Sequence, residues 1–113
     1  MITGTSFKAK PGKARELEAL LNDPERGRAV AKAMGATRNV LFWQGDRMVR
    51  VMEFPEGGRP VPMSEIAARD PDAREFLRRI GDLAEPGYDL DRPETMDAFG
   101  QAGALRLLYD VRA

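Results

Sequence analysis

The chain has 113 residues, enough for one domain with a hydrophobic core and too few for two. Its 18 basic and 18 acidic residues cancel. No basic stripe is present, so neither nucleic acid nor an anionic membrane surface is an expected partner. There is no cysteine, which excludes disulfides and thiolate metal sites. There is also no histidine, the commonest general base and metal ligand.

The remaining composition gives no sign of a membrane or metal protein. The N-terminus MITGTSFKAK lacks the apolar core of a signal peptide, and no stretch approaches the length of a membrane span. The acidic residues near position 90 lack the spacing of a calcium loop and predict a solvated face. We expect a soluble, cytoplasmic protein without a metal site.

The first third of the chain predicts one strand followed by two helices. Residues 2–10 have the β-branched and aromatic content of a strand, and residues 13–21 place apolar side chains on one helical face. Asp23 followed by Pro24 is typical of a second helix start, with Gly35 as its terminator. Gly27 inside this helix is unfavourable and predicts that the helix is broken or short.

Residues 37–54 predict a β-hairpin around which the rest of the chain is organised. Two apolar-rich runs flank Gly45 and Asp46, a dipeptide that suits a two-residue turn with glycine first. This turn pairs Gln44 with Arg47, and the pairing of opposite residues continues to the far end of the hairpin. A three-residue loop would instead shift the register by one residue and mix the two faces.

The predicted register gives the hairpin two different faces. One face carries valines and Phe42 and needs a cover. The other places Asn39 and Arg50 among large apolar side chains, including Trp43. A polar amide and a guanidinium within an apolar wall indicate a binding cavity.

The second half of the chain completes an α+β fold. Residues 55–60 form a Gly- and Pro-rich loop that could act as a lid, and helices are predicted over 62–69, 72–84 and, shorter, 91–99. Residues 104–112 predict a final strand. The order βαββαβ is the ferredoxin-like arrangement, an antiparallel sheet with helices on one face, over a single domain of residues 1–113. A second subunit is the natural cover for the other face, which predicts a homodimer.

Three motifs carry a resemblance to a known superfamily. The pattern F-x-x-K-P-G-K-x-x-E-L at 7–17, the strand pair around 46–54 and A-x-x-P-x-x-R-E-F-L at 68–77 are similar to the dimeric α/β-barrel superfamily. Within it, the chain most resembles the SchA/CurD-like proteins of aromatic polyketide synthesis. A related branch, the antibiotic-biosynthesis monooxygenases, oxidises polyphenols without a cofactor, using an Asn and a Trp four residues apart and a nearby Arg.

This resemblance implies a site on the hairpin. Asn39 and Trp43 have the required spacing, and Arg50 lies on the same predicted face. As catalytic residues, Arg50 would stabilise a phenolate, Asn39 would donate to the developing oxyanion, and Trp43 would stack on the rings. No cofactor is expected, although the missing histidine departs from some relatives. The substrate-binding residues would be large side chains near this face: Met48, Met52, Phe54 and Tyr109.

The implied function is tailoring of an aromatic polyketide, which leaves several readings open. The protein would bind a polyphenolic intermediate for cyclisation or for cofactor-independent oxygenation. Alternatively, it is a non-catalytic accessory subunit that binds intermediates or docks on a polyketide synthase, or an enzyme acting on another aromatic compound. In structural readings of the same residues, Trp43 belongs to the core, Asn39 satisfies its amide at a strand end, and Arg50 forms an ion pair across a subunit interface.

Overall fold

One antiparallel sheet and five helices make up the computed structural model, which describes residues 1–113. None of the helices has the length and apolar character that a membrane crossing requires. The elements in chain order are β1 (Ile2–Ala9), α1 (Ala14–Leu21), α2 (Pro24–Met34), β2 (Arg38–Gln44), β3 (Arg47–Glu53), α3 (Met63–Arg69), α4 (Pro71–Leu83), β4 (Ala84–Glu85), α5 (Pro93–Ala102) and β5 (Ala104–Leu105).

The sheet has the strand order β2-β3-β1-β4, and all neighbours are antiparallel. The free edge of β1 is shared by two short strands: β4 pairs with Lys8 and Ala9, and β5 pairs with Gly4 and Thr5. Together they occupy the position of the fourth strand, and the helices cover one face. The predicted ferredoxin-like α+β fold is confirmed.

The predicted last strand over 104–112 is wrong beyond Leu105. Strand β5 meets β1 where the Ser6 amide donates to the Gly103 carbonyl at 2.8 Å, and its last residue lies opposite Gly4. Because β1 begins at Ile2, little of that strand remains for further pairing. The residues after Leu105 leave the sheet and are exposed.

The hairpin has the predicted register, from Gln44 opposite Arg47 to Arg38 opposite Glu53. Gly45 has φ 63°, and no residue other than glycine has a positive φ. This is the backbone of a two-residue turn with glycine first. Asn39, Leu41 and Trp43 therefore face the helices with Met48, Arg50 and Met52.

Two aspartate caps begin the helices that face the hairpin. The Asp23 carboxylate accepts from the Arg26 amide at 3.1 Å, and the Asp70 carboxylate accepts from the Asp72 amide at 2.9 Å. Each aspartate is followed by proline at the first helical position. The predicted break at Gly27 is wrong, since α2 runs unbroken to Met34.

The hydrophobic core lies between the sheet and helices α1, α4 and α5. The outer face of the sheet has no such cover: Phe42 is 60% exposed. The core cluster consists of Ala9, Leu17, Leu21, Met48, Phe76, Ile80, Ala84 and Phe99.

Candidate functional site

A cavity of about 150 Å³ lies between the sheet and the helices. Its sheet wall is built from alternate residues of β1 and β3, because side chains at positions i and i+2 share a face. Its helix wall comes mainly from α2 and α4. The polar side chains that line it are few among aromatic and aliphatic ones: Thr3, Thr5, Ser6, Arg26, Arg50 and Asp70. Such a lining, apolar with a few convergent polar groups, is typical of small-molecule sites.

Arg50 stands in the sheet wall, with Thr5 directly opposite on β1 and Leu41 opposite on β2. None of the salt bridges involves it. Its Nε is buried without a hydrogen-bond partner, although the residue as a whole is only half-buried. An enclosed donor without a partner costs free energy in the folded state, so it requires an explanation.

Burial lowers the pKa of Arg50 from its ordinary value, and Tyr88 partly opposes this shift. Burial also raises the pKa of Tyr88, whose hydroxyl donates to the Leu77 carbonyl at 2.5 Å. Tyr88 is therefore a neutral hydroxyl at ordinary pH and gives Arg50 no counter-ion. The guanidinium is a cation held in the wall without a matching anion.

Asn39 lies diagonally from Arg50 across the hairpin, since it pairs with Met52 while Arg50 pairs with Leu41. Its Nδ2 donates to the Gly27 carbonyl at 3.0 Å, which ties β2 to α2. Its Oδ1 is buried without a partner. Asn39 and Arg50 both line a more open outer cleft beside the cavity.

Arg26 and Asp70 contribute the remaining charges of the cavity wall. The Arg26 guanidinium carbon lies 4.9 Å from the centre of the Phe76 ring, a cation–π contact that orients the side chain. Asp70 is the one acidic residue that lines the cavity, and its side chain is exposed to solvent. Sequence reasoning missed both residues, along with Thr3 and Thr5. Two features of the sequence could have indicated them. One is the alternation of Thr3, Thr5 and Phe7 along β1, and the other is the proline after Asp70, which marks a helix start.

The other predicted site residues are placed as follows. Trp43 shares the face of Asn39 and Arg50 but lies by the hairpin turn, where its Nε1 donates to the Gly45 carbonyl at 2.9 Å, and it does not line the cavity. Met48 and Phe54 are buried outside the cavity wall, whereas Met52 forms part of it. Tyr109 is 75% exposed in the C-terminal segment.

No family model and no curated protein matches the chain. Membership of the SchA/CurD-like family stays a prediction from the sequence. Among solved structures, the chain is similar to the L-rhamnose mutarotase of Formosa agariphila. The TM-score is 0.57, the sequence identity is 12%, and the match covers 99% of each chain. At this identity the likeness shows a shared ferredoxin-like fold and no more.

The predicted function in aromatic polyketide biosynthesis is wrong, in both its catalytic and its accessory-subunit versions. A solved structure that shares the fold over its whole length is an L-rhamnose mutarotase, a sugar enzyme rather than a polyketide enzyme. The geometry points the same way. Trp43, the expected stacking wall, stands outside the cavity.

Proposed function

We propose that the protein binds one monosaccharide ring in the cavity between sheet and helices and catalyses the interconversion of its anomers. The observation that carries the proposal is the unpartnered Nε of Arg50 in the wall of this largely apolar cavity. A pyranose has apolar C–H faces and a polar rim. Aromatic and aliphatic lining residues suit the faces, and the few polar groups suit the rim. The mutarotase that shares the fold supports the choice of reaction.

The reaction transfers protons and breaks and re-forms one C–O bond, so it needs no oxidant or reductant. A base removes the proton of the anomeric hydroxyl while the ring oxygen is protonated. The bond between the anomeric carbon and the ring oxygen then breaks, and the open-chain aldehyde closes again on its other face. Asp70, the carboxylate of the cavity wall, would accept the anomeric proton. The Thr5 hydroxyl would donate a hydrogen bond to the ring oxygen, which would take its proton from water, while Arg50 would orient the ring through its substituents.

The test is the rate at which a freshly dissolved pure anomer equilibrates, followed by optical rotation or NMR with L-rhamnose and common aldoses. We expect acceleration over buffer by the wild-type protein. Asp70→Asn keeps the helix cap, since asparagine caps as well as aspartate, but loses the base. It should lower the acceleration by about 100-fold or more.

The control is Asp89→Asn, which makes the same change at an exposed carboxylate that accepts from a backbone amide outside the cavity. This variant should keep the wild-type rate. Equal loss in both variants would contradict the role of Asp70. Equilibration at the buffer rate with every aldose would contradict the proposed activity.

We also propose that two copies pair through the outer faces of their sheets. The cross-strand pairs Val40–Val51 and Phe42–Val49 lie on that face, next to Leu105, which is half exposed. Apolar side chains in a continuous patch favour association because they lose contact with water when covered. Association of this kind would leave the cavity on the helix side of each copy.

A further inference from the structure

The charged side chains around the cavity and its outer cleft are unbalanced in sign. Four arginines face two aspartates in this region: Arg26, Arg28, Arg38 and Arg50 against Asp23 and Asp70. An excess of one sign in a concave site attracts ligands of the opposite sign.

Two of the four arginines already have carboxylate partners. Arg28 pairs with Glu25, and Arg38 lies 3.5 Å from Glu53. Arg26 and Arg50 belong to no salt bridge. These two are the cations of the site that remain available to a ligand.

The two aspartates do not neutralise them. The carboxylates of Asp23 and Asp70 accept hydrogen bonds from backbone amides at the N-termini of α2 and α4. The positive end of each helix dipole offsets part of their charge. The site therefore retains a positive potential at the place where Arg26 and Arg50 stand.

Arg26 and Arg50 come from opposite walls. Arg26 is on α2 and is held over the Phe76 ring, whereas Arg50 is on β3 with its enclosed Nε. Both line the cavity and also the outer cleft, so they lie where the two spaces meet. A planar anion between them would receive donors from both sides, since guanidinium groups match carboxylates in charge and geometry.

We infer that the ligand is a sugar acid, a monosaccharide whose carboxylate is bound by Arg50 and Arg26. This inference rests on the proposed function and names its substrate class. In a uronate the carboxylate is attached to the carbon next to the ring oxygen. Arg50 and Thr5 are directly opposite each other on neighbouring strands. Arg50 would hold the carboxylate while Thr5 contacts the ring oxygen.

A carboxylate fits this site better than a phosphate. Phosphate sites at helix ends rely on free backbone N–H groups. At α2 and α4, the Asp23 and Asp70 side chains already take such groups.

The test compares D-galacturonate and D-glucuronate with D-galactose, D-glucose and the corresponding 6-phosphates, using calorimetry or saturation-transfer NMR at low salt. We expect each uronate to bind about tenfold or more tightly than its neutral sugar, with a preference that falls as salt rises. Arg50→Gln and Arg26→Gln should each remove most of this preference. The matched control is Arg15→Gln, an exposed arginine on α1, which should retain it. Thermal melting checks that each variant is folded.

The outcomes separate this inference from the proposed function. Equal binding of uronates and neutral sugars overturns the inference and leaves the monosaccharide site standing. Binding of the 6-phosphates alone overturns the carboxylate assignment. Failure of every sugar to bind overturns both. Loss of the uronate preference in Arg15→Gln as well would show that it comes from net charge and would overturn the pairing with Arg50.

Discussion

At the residue scale, Arg50 shows a conflict between stability and binding. Its Nε is enclosed without a partner, and burial lowers its pKa, so the charged side chain makes the folded state less stable than an apolar one would. A residue kept for packing alone would not combine these features. Proteins commonly give up stability at ligand sites in this way.

We predict that Arg50→Met raises the free energy of unfolding by about 1 kcal/mol, which corresponds to about 4 °C in melting temperature. Methionine fills similar space and buries no charge. Urea and thermal denaturation measure the effect. Arg15→Met, at an exposed position, is the control and should change stability by less than about 0.5 kcal/mol. A less stable Arg50→Met protein would show that the guanidinium supports the fold.

Asn39 illustrates what residue chemistry can indicate before a structure is known. An amide side chain on an apolar strand face predicts a binding site. In the structure the Asn39 Oδ1 is buried and has no hydrogen-bond partner. Half of the side chain has a structural task, however, because its Nδ2 joins β2 to the Gly27 carbonyl of α2. Sequence alone could not divide the two roles, since the carbonyl comes from a helix 12 residues away.

At the element scale, the close approach of β5 to β1 depends on Gly103. A Cβ at this position would lie 2.6 Å from the Ser6 carbonyl oxygen, a backbone atom that cannot move without disturbing the sheet. The same contact carries the hydrogen bond from the Ser6 amide to the Gly103 carbonyl. It positions α5, which buries Met96 and Phe99.

We predict that Gly103→Ala destabilises the protein by about 2 kcal/mol, because the overlap forces the end of α5 away from β1. Urea denaturation at neutral pH gives the value. Gly100→Ala, inside α5 and three residues before Gly103, is the matched control. Its Cβ would meet nothing within 4 Å, and alanine favours a helix, so stability should stay equal or rise by up to about 1 kcal/mol. Equal loss in both variants would contradict the role of the contact.

At the scale of the whole molecule, the two faces of the sheet differ in cover. Helices pack on one face, and Phe42 is exposed to solvent on the other. The C-terminal residues after Leu105 add further exposed apolar side chains, including Leu108 and Tyr109. A single copy therefore presents a large apolar surface to water, which is unusual for a protein that acts alone.

We predict a dimer at micromolar concentration, measured by light scattering coupled to size exclusion or by sedimentation. Phe42→Lys should convert it to a monomer with an unchanged circular dichroism spectrum, since a charge at the centre of an apolar interface is costly. Ala19→Lys, on the exposed surface of α1, is the control and should remain dimeric. A dimer that persists in Phe42→Lys would show that another surface mediates association.

The sequence by itself predicted most of the local elements and their order, although it missed the short strand β4 and made the last strand too long. Glycine at the turn and the alternation of side chains along two strands predicted the hairpin register correctly. The two Asp-Pro pairs predicted where two helices begin. These are near-neighbour effects, for which the information lies within a few residues. The predicted break of α2 at Gly27 is wrong, however. The contact of α2 with β2, which includes the hydrogen bond from Asn39 to the Gly27 carbonyl, outweighs a local penalty of about 1 kcal/mol.

Only the tertiary structure decided which residues share a cavity. Arg26, Asp70 and Thr5 meet Arg50 because α2, α4 and β1 converge on β3, and no spacing along the chain encodes that meeting. The same convergence left Trp43 at the hairpin turn, outside the cavity. Cavity volume and the pairing of buried charges depend on contacts between distant segments, so they arise only when the chain is folded.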